Sequence, residues 1–238
     1  MFIALLALQV LAAAPNSDPF AFFQPSVTIN VDDRRQLDRG EPIARVLPGK
    51  DLEVAVFAAV PIDIDGDRLV AWMRRIEELK KSSYVLAIGR FSDPPRIEDL
   101  AGLALDDEEL SEIRGCRPGR CALKLSASEM TQLQRAAAEA ERDWKPAVQQ
   151  AFRGAVLERV QKYLADGHLA AYEDQKHQVW PAARFALLLE HSVFLTERLP
   201  QFAEQLRGYP LTATPGVESF VYWSKERLAR KRSSAPHT

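Results

Sequence analysis

Four polar residues in one short segment have side chains suited to acid–base catalysis: His168, Tyr172, Asp174 and His177. An imidazole titrates near neutral pH, and a carboxylate three residues away could orient it as a general base. No motif surrounds the four residues, and a surface loop would have the same composition. Because the apolar pattern stops here, we expect a surface loop in which both histidines are dispensable for folding. Catalysis at this cluster is an alternative hypothesis.

The two cysteines of the chain, Cys116 and Cys121, enclose the turn-forming pair Pro118-Gly119. Proline and glycine are the preferred central residues of a type II turn, which would bring the two sulfur atoms together. We expect a structural disulfide. A redox-active pair is the alternative, but such pairs usually have the shorter C-x-x-C spacing. A zinc site would need two further ligands, and no other cysteine exists.

The acidic segment Asp63–Asp67, with the sequence DIDGD, has some features of a calcium loop. Its glycine stands at the fourth position where the sixth is required, and Arg74 occupies the place of the bidentate glutamate. We therefore expect a turn in which Asp65 or Asp67 caps the following helix. The chain also contains no nucleotide-binding glycine motif, no zinc-protease motif and no serine-hydrolase elbow, so no metal ion and no cofactor are expected.

Short strands and helices are predicted in the first half of the chain. The segments Pro42–Leu47 and Leu52–Val60 flank Pro48-Gly49 and should form a hairpin. An amphipathic helix is predicted over Asp67–Lys81, followed by a strand over Tyr84–Phe91. The same rules predict short helices at Ile97–Leu103 and Asp107–Ile113, and strands at Cys121–Leu125 and Phe220–Trp223.

Helical patterns dominate the second half. Ser126 and Glu129 have the spacing of a capping box, which predicts the start of a helix. A second helix follows Asp143 and ends at Gly167, and a third is predicted over Pro181–Glu197. The third is apolar on more than one face, so we expect it to be central.

The apolar faces of the second and third helices could line a ligand cavity or could be ordinary core. The candidate lining residues share a large apolar or aromatic side chain: Trp144, Phe152, Tyr163, Phe185, Leu188 and Phe194. Phe185 and Leu188 belong to the most apolar helix, so truncating either to alanine should lower the free energy of unfolding by about 2–5 kcal/mol through lost burial and a cavity.

The first 14 residues, MFIALLALQVLAAA, form an apolar run that ends in three alanines. This pattern is typical of the core and cleavage region of a secretory signal peptide, although no basic residue follows Met1. A spanning helix needs about 20 apolar residues, and Pro15 interrupts this run. We expect cleavage near Pro15, export to the periplasm or the extracellular space, and no stable transmembrane anchor. A membrane anchor or a buried helix is the alternative.

Composition permits a folded protein with a substantial core. Apolar residues make up 47% and charged residues 27% of the chain. The net charge is -2, from 31 basic and 33 acidic side chains, which gives no electrostatic reason to expect a nucleic-acid partner. The predicted organisation is a signal peptide at 1–14, an extended lead-in at 15–41, a single domain at 42–226 and a basic disordered tail at 227–238.

Three stretches resemble a family of exported bacterial proteins of uncharacterised function: Ile88–Pro95 with Glu98–Leu100, Cys116–Leu125, and Tyr222–Glu226. This resemblance covers Leu52–Arg227 and implies no known activity.

A second resemblance concerns the order of a strand at Val54–Pro61 and a helix at Leu69–Leu79. It resembles the opening of a START-like, helix-grip domain, whose curved sheet wraps around a long helix and holds apolar ligands. In this chain the resemblance implies an incomplete sheet.

Together these patterns predict a helix-dominant α+β fold, with a small antiparallel sheet packed against long C-terminal helices. The leading hypothesis is a non-catalytic exported protein that binds an apolar small molecule or a lipid, an inference from the apolar helices and the fold resemblance. The second hypothesis is a module for interaction with an envelope protein. The third is an enzyme that uses the cluster from His168 to His177.

Overall fold

The computed structural model describes five segments of the chain: residues 18–49, 53–140, 143–174, 177–213 and 215–227. The predicted signal peptide at 1–14 and residues 228–238 of the predicted tail lie outside them. The chain divides into two compact units, with the boundary between Asp63 and Ile64. The predicted hairpin belongs to the first unit, and the predicted domain bounds stay a prediction. Among the described helices, none is long and apolar enough to cross a membrane.

The first unit is built around the predicted hairpin. Within its described residues, a 3-10 helix (Ala21–Phe23) and helix α1 (Val31–Asp38) precede strands β1 (Ile43–Leu47) and β2 (Ala55–Ala59). The strands are antiparallel and in continuous register, which confirms the hairpin.

Aromatic contacts fold the lead-in segment back onto this hairpin. Val27, Ile43 and Phe57 are buried. The rings of Phe20 and Phe23 pack edge-on against Phe57, with centroids 6.5 and 5.4 Å away. An extended lead-in is predicted, but the described part forms short helices, because its aromatic side chains gain burial against β2.

Helices dominate the second unit, which confirms the predicted α+β class. Arg75 separates α2 from α3, where the sequence pattern predicts one helix. Besides a 3-10 helix at Ile97–Leu100, the elements in chain order are α2 (Gly66–Arg74), α3 (Ile76–Leu79), β3 (Val85–Arg90), α4 (Asp107–Ile113), α5 (Ala127–Glu139), α6 (Trp144–Asp166), β4 (Tyr172–Asp174), β5 (His177–Val179), α7 (Pro181–His191), α8 (Val193–Arg198), α9 (Pro200–Gly208) and β6 (Tyr222–Glu226).

The strands of the described residues form three separate antiparallel pairs, β1–β2, β3–β6 and β4–β5, rather than one sheet. These pairs do not make the curved sheet of a helix-grip fold. The predicted strand Cys121–Leu125 joins none of them. Its alternating pattern reflects instead the packing of Cys121, Leu123 and Leu125 against the helical core.

Strands β3 and β6 join the two ends of the second unit. Gly89 lies opposite Trp223, and a Cβ atom at Gly89 would come within 2.8 Å of the indole ring. Trp223 is buried with Phe91 and Leu100, and its Nε1 donates to the carbonyl oxygen of Asp99 at 2.9 Å. This cluster packs against α6, so an antiparallel strand pair does contact a long helix.

Helices α5 and α6 form the main helical core. Ser126 and Glu129 make the predicted capping box: Glu129 Oε2 accepts from the Ser126 N–H at 2.7 Å, and Ser126 Oγ accepts from the Glu129 N–H. Helix α6 ends at Gly167, whose φ of 71° lies in the left-handed region that favours glycine. The buried residues of this core are Leu105, Leu110, Ile113, Cys116, Leu125, Met130, Leu133, Ala137, Val148 and Ala155.

The predicted third helix is divided at Ser192 and lies largely at the surface. Phe185 is 44% exposed and Leu188 is 48% exposed, whereas Leu189 is 3% exposed. The expectation of a central helix is therefore wrong. Successive residues of a helix point about 100° apart, so the side chains of three consecutive leucines cannot share one buried face.

Leu189→Ala is expected to lower the free energy of unfolding by about 2–5 kcal/mol, because it removes a buried side chain and leaves a cavity. Leu188→Ala, one position earlier, should cost less than about 1 kcal/mol because that side chain is half exposed. Urea denaturation followed by circular dichroism measures both values. A larger loss for Leu188→Ala would contradict the orientation of α7.

Gly89→Ala is expected to destabilise the protein by about 1–3 kcal/mol, because its methyl group would overlap the Trp223 ring. Gly154→Ala is the matched control inside α6. Nothing lies within 4 Å of its added Cβ atom, so the higher helix propensity of alanine should stabilise the protein by about 1 kcal/mol. Thermal denaturation compares the two variants, and effects of the same sign would refute this account of β3–β6 packing.

Candidate functional site

The six predicted cavity residues do not form one site. Trp144 and Phe152 belong to the core of the second unit. The guanidinium carbon of Arg114 lies 4.5 Å from the centroid of the Trp144 ring, and Phe152 contacts both hydrophobic clusters of this unit. These two side chains are therefore committed to packing.

Tyr163 and Phe185 do line a common cleft, whereas Leu188 and Phe194 are not among its lining residues. The cleft lies between the C-terminal end of α6, helix α7 and the end of α9, and we call it the α6–α9 cleft. Its volume is about 690 Å³, within the range of about 300–1,000 Å³ that is usual for small-molecule sites. Its large apolar and aromatic lining residues are Tyr163, Leu169, Phe185, Leu189, Leu206, Tyr209 and Leu211.

Helix ends shape this cleft. Gly167 ends α6 and turns the chain away, and Pro181 begins α7. Tyr209 follows the end of α9, and its carbonyl oxygen accepts a hydrogen bond from Tyr163 Oη at 3.5 Å. Burial raises the pKa of both tyrosine hydroxyls above the ordinary value of 10.0. Both tyrosine side chains are therefore uncharged at neutral pH.

Two charged residues also line the cleft, and their surroundings differ. The Asp166 carboxylate accepts from Lys162 Nζ at 2.7 Å and from the His168 N–H at 2.8 Å. These hydrogen bonds hold the pKa of Asp166 below its ordinary value, and the bond from Lys162 has the largest effect. Arg207 lies in the last turn of α9 and has no hydrogen-bond or ion-pair partner within the described residues. The cleft thus contains one compensated acid and one uncompensated cation.

A second cleft, of about 510 Å³, is lined mainly by polar and charged residues, and two of these, Glu129 and Arg159, form an ion pair with each other. We call it the polar cleft. Arg159 donates from Nε and Nη2 to Glu129 Oε1 at 2.9 and 2.7 Å. Burial opposes ionisation of Glu129, but the hydrogen bonds from Arg159 and the Ser126 backbone outweigh it and hold the pKa below the ordinary value. The pair joins the start of α5 to α6, so its role is structural.

The predicted polar cluster is a short hairpin rather than a loop. Asp174 lies opposite His177 in the β4–β5 pair, and Tyr172 begins β4. The Asp174 carboxylate accepts from Lys124 Nζ at 2.6 Å. His168 stands apart, exposed at the edge of the polar cleft, and His177 is also exposed. Backbone pairing therefore organises this segment, which sequence reasoning missed because the strands are only three residues long.

The cysteines form the expected disulfide between Cys116 and Cys121, with Cα atoms 5.0 Å apart. Gly119, between them, has a φ of 76°, as the predicted turn requires. Cys116 is buried, and its carbonyl oxygen accepts from Gln134 Nε2 at 2.8 Å. The bridge therefore anchors its loop to α5.

The other motifs have structural roles. Asp65 caps α2, since its Oδ1 accepts from the Arg68 N–H at 2.8 Å. Asp99 organises the turn after β3 by accepting from the N–H groups of Ser92 and Arg96, at 2.9 and 2.8 Å. Within the segments that the structure describes, no group of three or more histidine, cysteine, aspartate or glutamate side chains could hold a metal ion.

Comparison with known proteins finds no matching family model, no matching curated sequence and no matching solved structure. In the second unit the α6–α9 cleft is the candidate site. Sequence reasoning missed its residues Leu206, Arg207 and Tyr209, because they lie at and just after the end of α9, a short helix distant in sequence from α6.

Glu129→Gln is expected to lower the free energy of unfolding by about 1–3 kcal/mol at neutral pH, since it removes the charge paired with Arg159. The pKa of Glu129 is lowered in the folded protein, so its stabilisation is present above the unfolded value of about 4.5. It is lost as the pH falls through the folded pKa. The difference between wild type and variant should therefore narrow in acid.

Urea titrations over a pH series test this expectation. Glu158→Gln is the control, because Glu158 is exposed and lines the same polar cleft. It should have little effect at any pH. A Glu129→Gln difference that stayed constant into strong acid would refute the role of the ionised pair.

Proposed function

We propose that the protein binds an apolar or lipid-like small molecule in the α6–α9 cleft, without chemical conversion of that molecule. The observation that carries the proposal is the cleft itself, whose volume is about 690 Å³ and whose walls are mainly leucine, phenylalanine and tyrosine side chains. An alkyl chain that enters it leaves water for an apolar environment, and each buried CH₂ group contributes about 0.8 kcal/mol.

The surroundings of the other polar groups favour binding over catalysis. Glu129 is held by Arg159, and Asp174 is held by Lys124. A general base needs a carboxylate or imidazole within reach of a substrate pocket and of its orienting partner. His168 precedes strand β4 in the sequence and His177 follows it, and both side chains are exposed. An enzyme at this cluster is therefore the less favoured proposal.

We further propose that this binding takes place outside the cytoplasm, in the periplasm or the extracellular space. The apolar run at the start of the sequence and the Cys116–Cys121 bridge support this location, because disulfides persist in oxidising compartments.

A second candidate function is interaction with an envelope protein, and helix α2 favours it. This helix has no buried residue and exposes four large apolar side chains: Leu69, Val70, Trp72 and Met73. Exposed apolar clusters often mark protein contacts. Native mass spectrometry of the protein isolated from its own compartment separates the two functions. A bound lipid supports the first, and a stoichiometric protein partner supports the second.

Ala182→Trp is expected to weaken binding of the uncharged dye Nile red by roughly tenfold or more, because the indole would fill the cleft that Ala182 lines. Ala183→Trp is the matched control, since Ala183 is also exposed on α7 but does not line the cleft. Fluorescence titration gives both dissociation constants, and circular dichroism checks that both variants fold. Equal binding by the two variants would exclude the α6–α9 cleft as the site.

A further inference from the structure

We infer that the ligand of the α6–α9 cleft is a single-chain amphiphile with a carboxylate head group, and that Arg207 binds this carboxylate. The inference rests on the proposed function, because it specifies the chemistry of a molecule held in the same cleft. The proposed function rests on the apolar walls of the cleft, whereas this inference rests on the charge of Arg207 beside them.

Arg207 is a cation without a partner at an apolar cleft. Arg207 is one of the lining residues of the cleft, is exposed, and makes no side-chain hydrogen bond or ion pair within the described residues. Arg159 and Arg153 are engaged with a carboxylate or with backbone carbonyl groups. Arg184 likewise has no side-chain partner within the described residues, but it does not line the cleft, so the place of Arg207 at the cleft sets it apart. A guanidinium group presents parallel N–H donors that match the two oxygens of a carboxylate.

The only acid that lines the cleft in the described residues does not cancel this charge. Asp166 is paired with Lys162 Nζ at 2.7 Å and also accepts the His168 N–H. The cleft therefore has an uncompensated positive charge beside an apolar wall. That combination favours an anionic amphiphile and disfavours a cationic one of the same chain length.

The size of the cleft supports one chain rather than an extended lipid surface. The walls come from short segments of α6, α7 and α9, and a single arginine stands among them. A ligand with one carboxylate for the single arginine and one alkyl chain for the single cleft matches both observations. Phe185 and Leu189 would contact the chain, while Arg207 would hold the carboxylate.

The experiment compares lauric acid with lauryl alcohol, which have the same chain and differ in the head group. Isothermal titration at neutral pH, below micelle-forming concentrations, measures both affinities. The wild-type protein should bind the acid about tenfold more tightly than the alcohol. In Arg207→Gln the acid should bind only as tightly as the alcohol, while the affinity for the alcohol stays unchanged.

Arg184→Gln is the matched control, since Arg184 is an exposed arginine of α7 that does not line the cleft. It should keep the preference for the acid. Arg207 also interacts favourably with the helix dipole, because it is a cation in the last turn of α9. Loss of that interaction would lower the melting temperature but would not change the affinity for the acid relative to that for the alcohol.

Two outcomes overturn different parts of the argument. Equal binding of acid and alcohol by the wild type, or a preference that survives Arg207→Gln, refutes the carboxylate inference and leaves the proposed function standing. If neither compound binds and Nile red binding is insensitive to Ala182→Trp, the proposed function itself is refuted.

Discussion

Burial of α6 on two sides is the constraint on which the second unit depends. Phe152 contacts both the cluster around Leu133 and Val148 and the cluster around Trp223. The first cluster joins α6 to α5, and the second joins it to the β3–β6 pair. Side chains of one helix thus serve two cores from Trp144 to Val160. The α6–α9 cleft begins just beyond this packed part, at Tyr163.

Two of the clefts of this unit, the polar one and the α6–α9 cleft, show why volume alone does not identify a site. Their volumes, about 510 and 690 Å³, are similar. In the smaller one, Glu129 and Arg159 satisfy each other and also complete a helix cap, so the polar groups are already used. In the larger one, the walls are apolar and Arg207 has no partner among the described residues. An unsatisfied charge beside apolar surface offers a ligand interactions that the protein does not already make.

Two helices of the second unit expose large apolar side chains for a physical reason. Helices α2 and α7 both carry large apolar side chains at the surface, and each is followed by a break, at Arg75 and at Ser192. A short helix can turn only one face toward a core, so its other apolar residues are left for a ligand or a partner. Such surfaces are more informative about function here than His168, which is exposed at the edge of the polar cleft, or His177, which is exposed in the β4–β5 pair.

Local signals determined much of the secondary structure. The Ser126 cap and the end of α6 at Gly167 were predictable because each depends on neighbouring residues and on backbone preferences. The pairing of Gly89 with Trp223, the exposure of Leu188 and the presence of Phe185 and Arg207 in one cleft were not predictable. They depend on which face of each helix or strand meets a segment distant in sequence, and periodicity cannot specify that partner. The sequence by itself thus determined a helix-dominant α+β chain with a bridged loop, and only the tertiary structure decided where its cleft and its uncompensated charge lie.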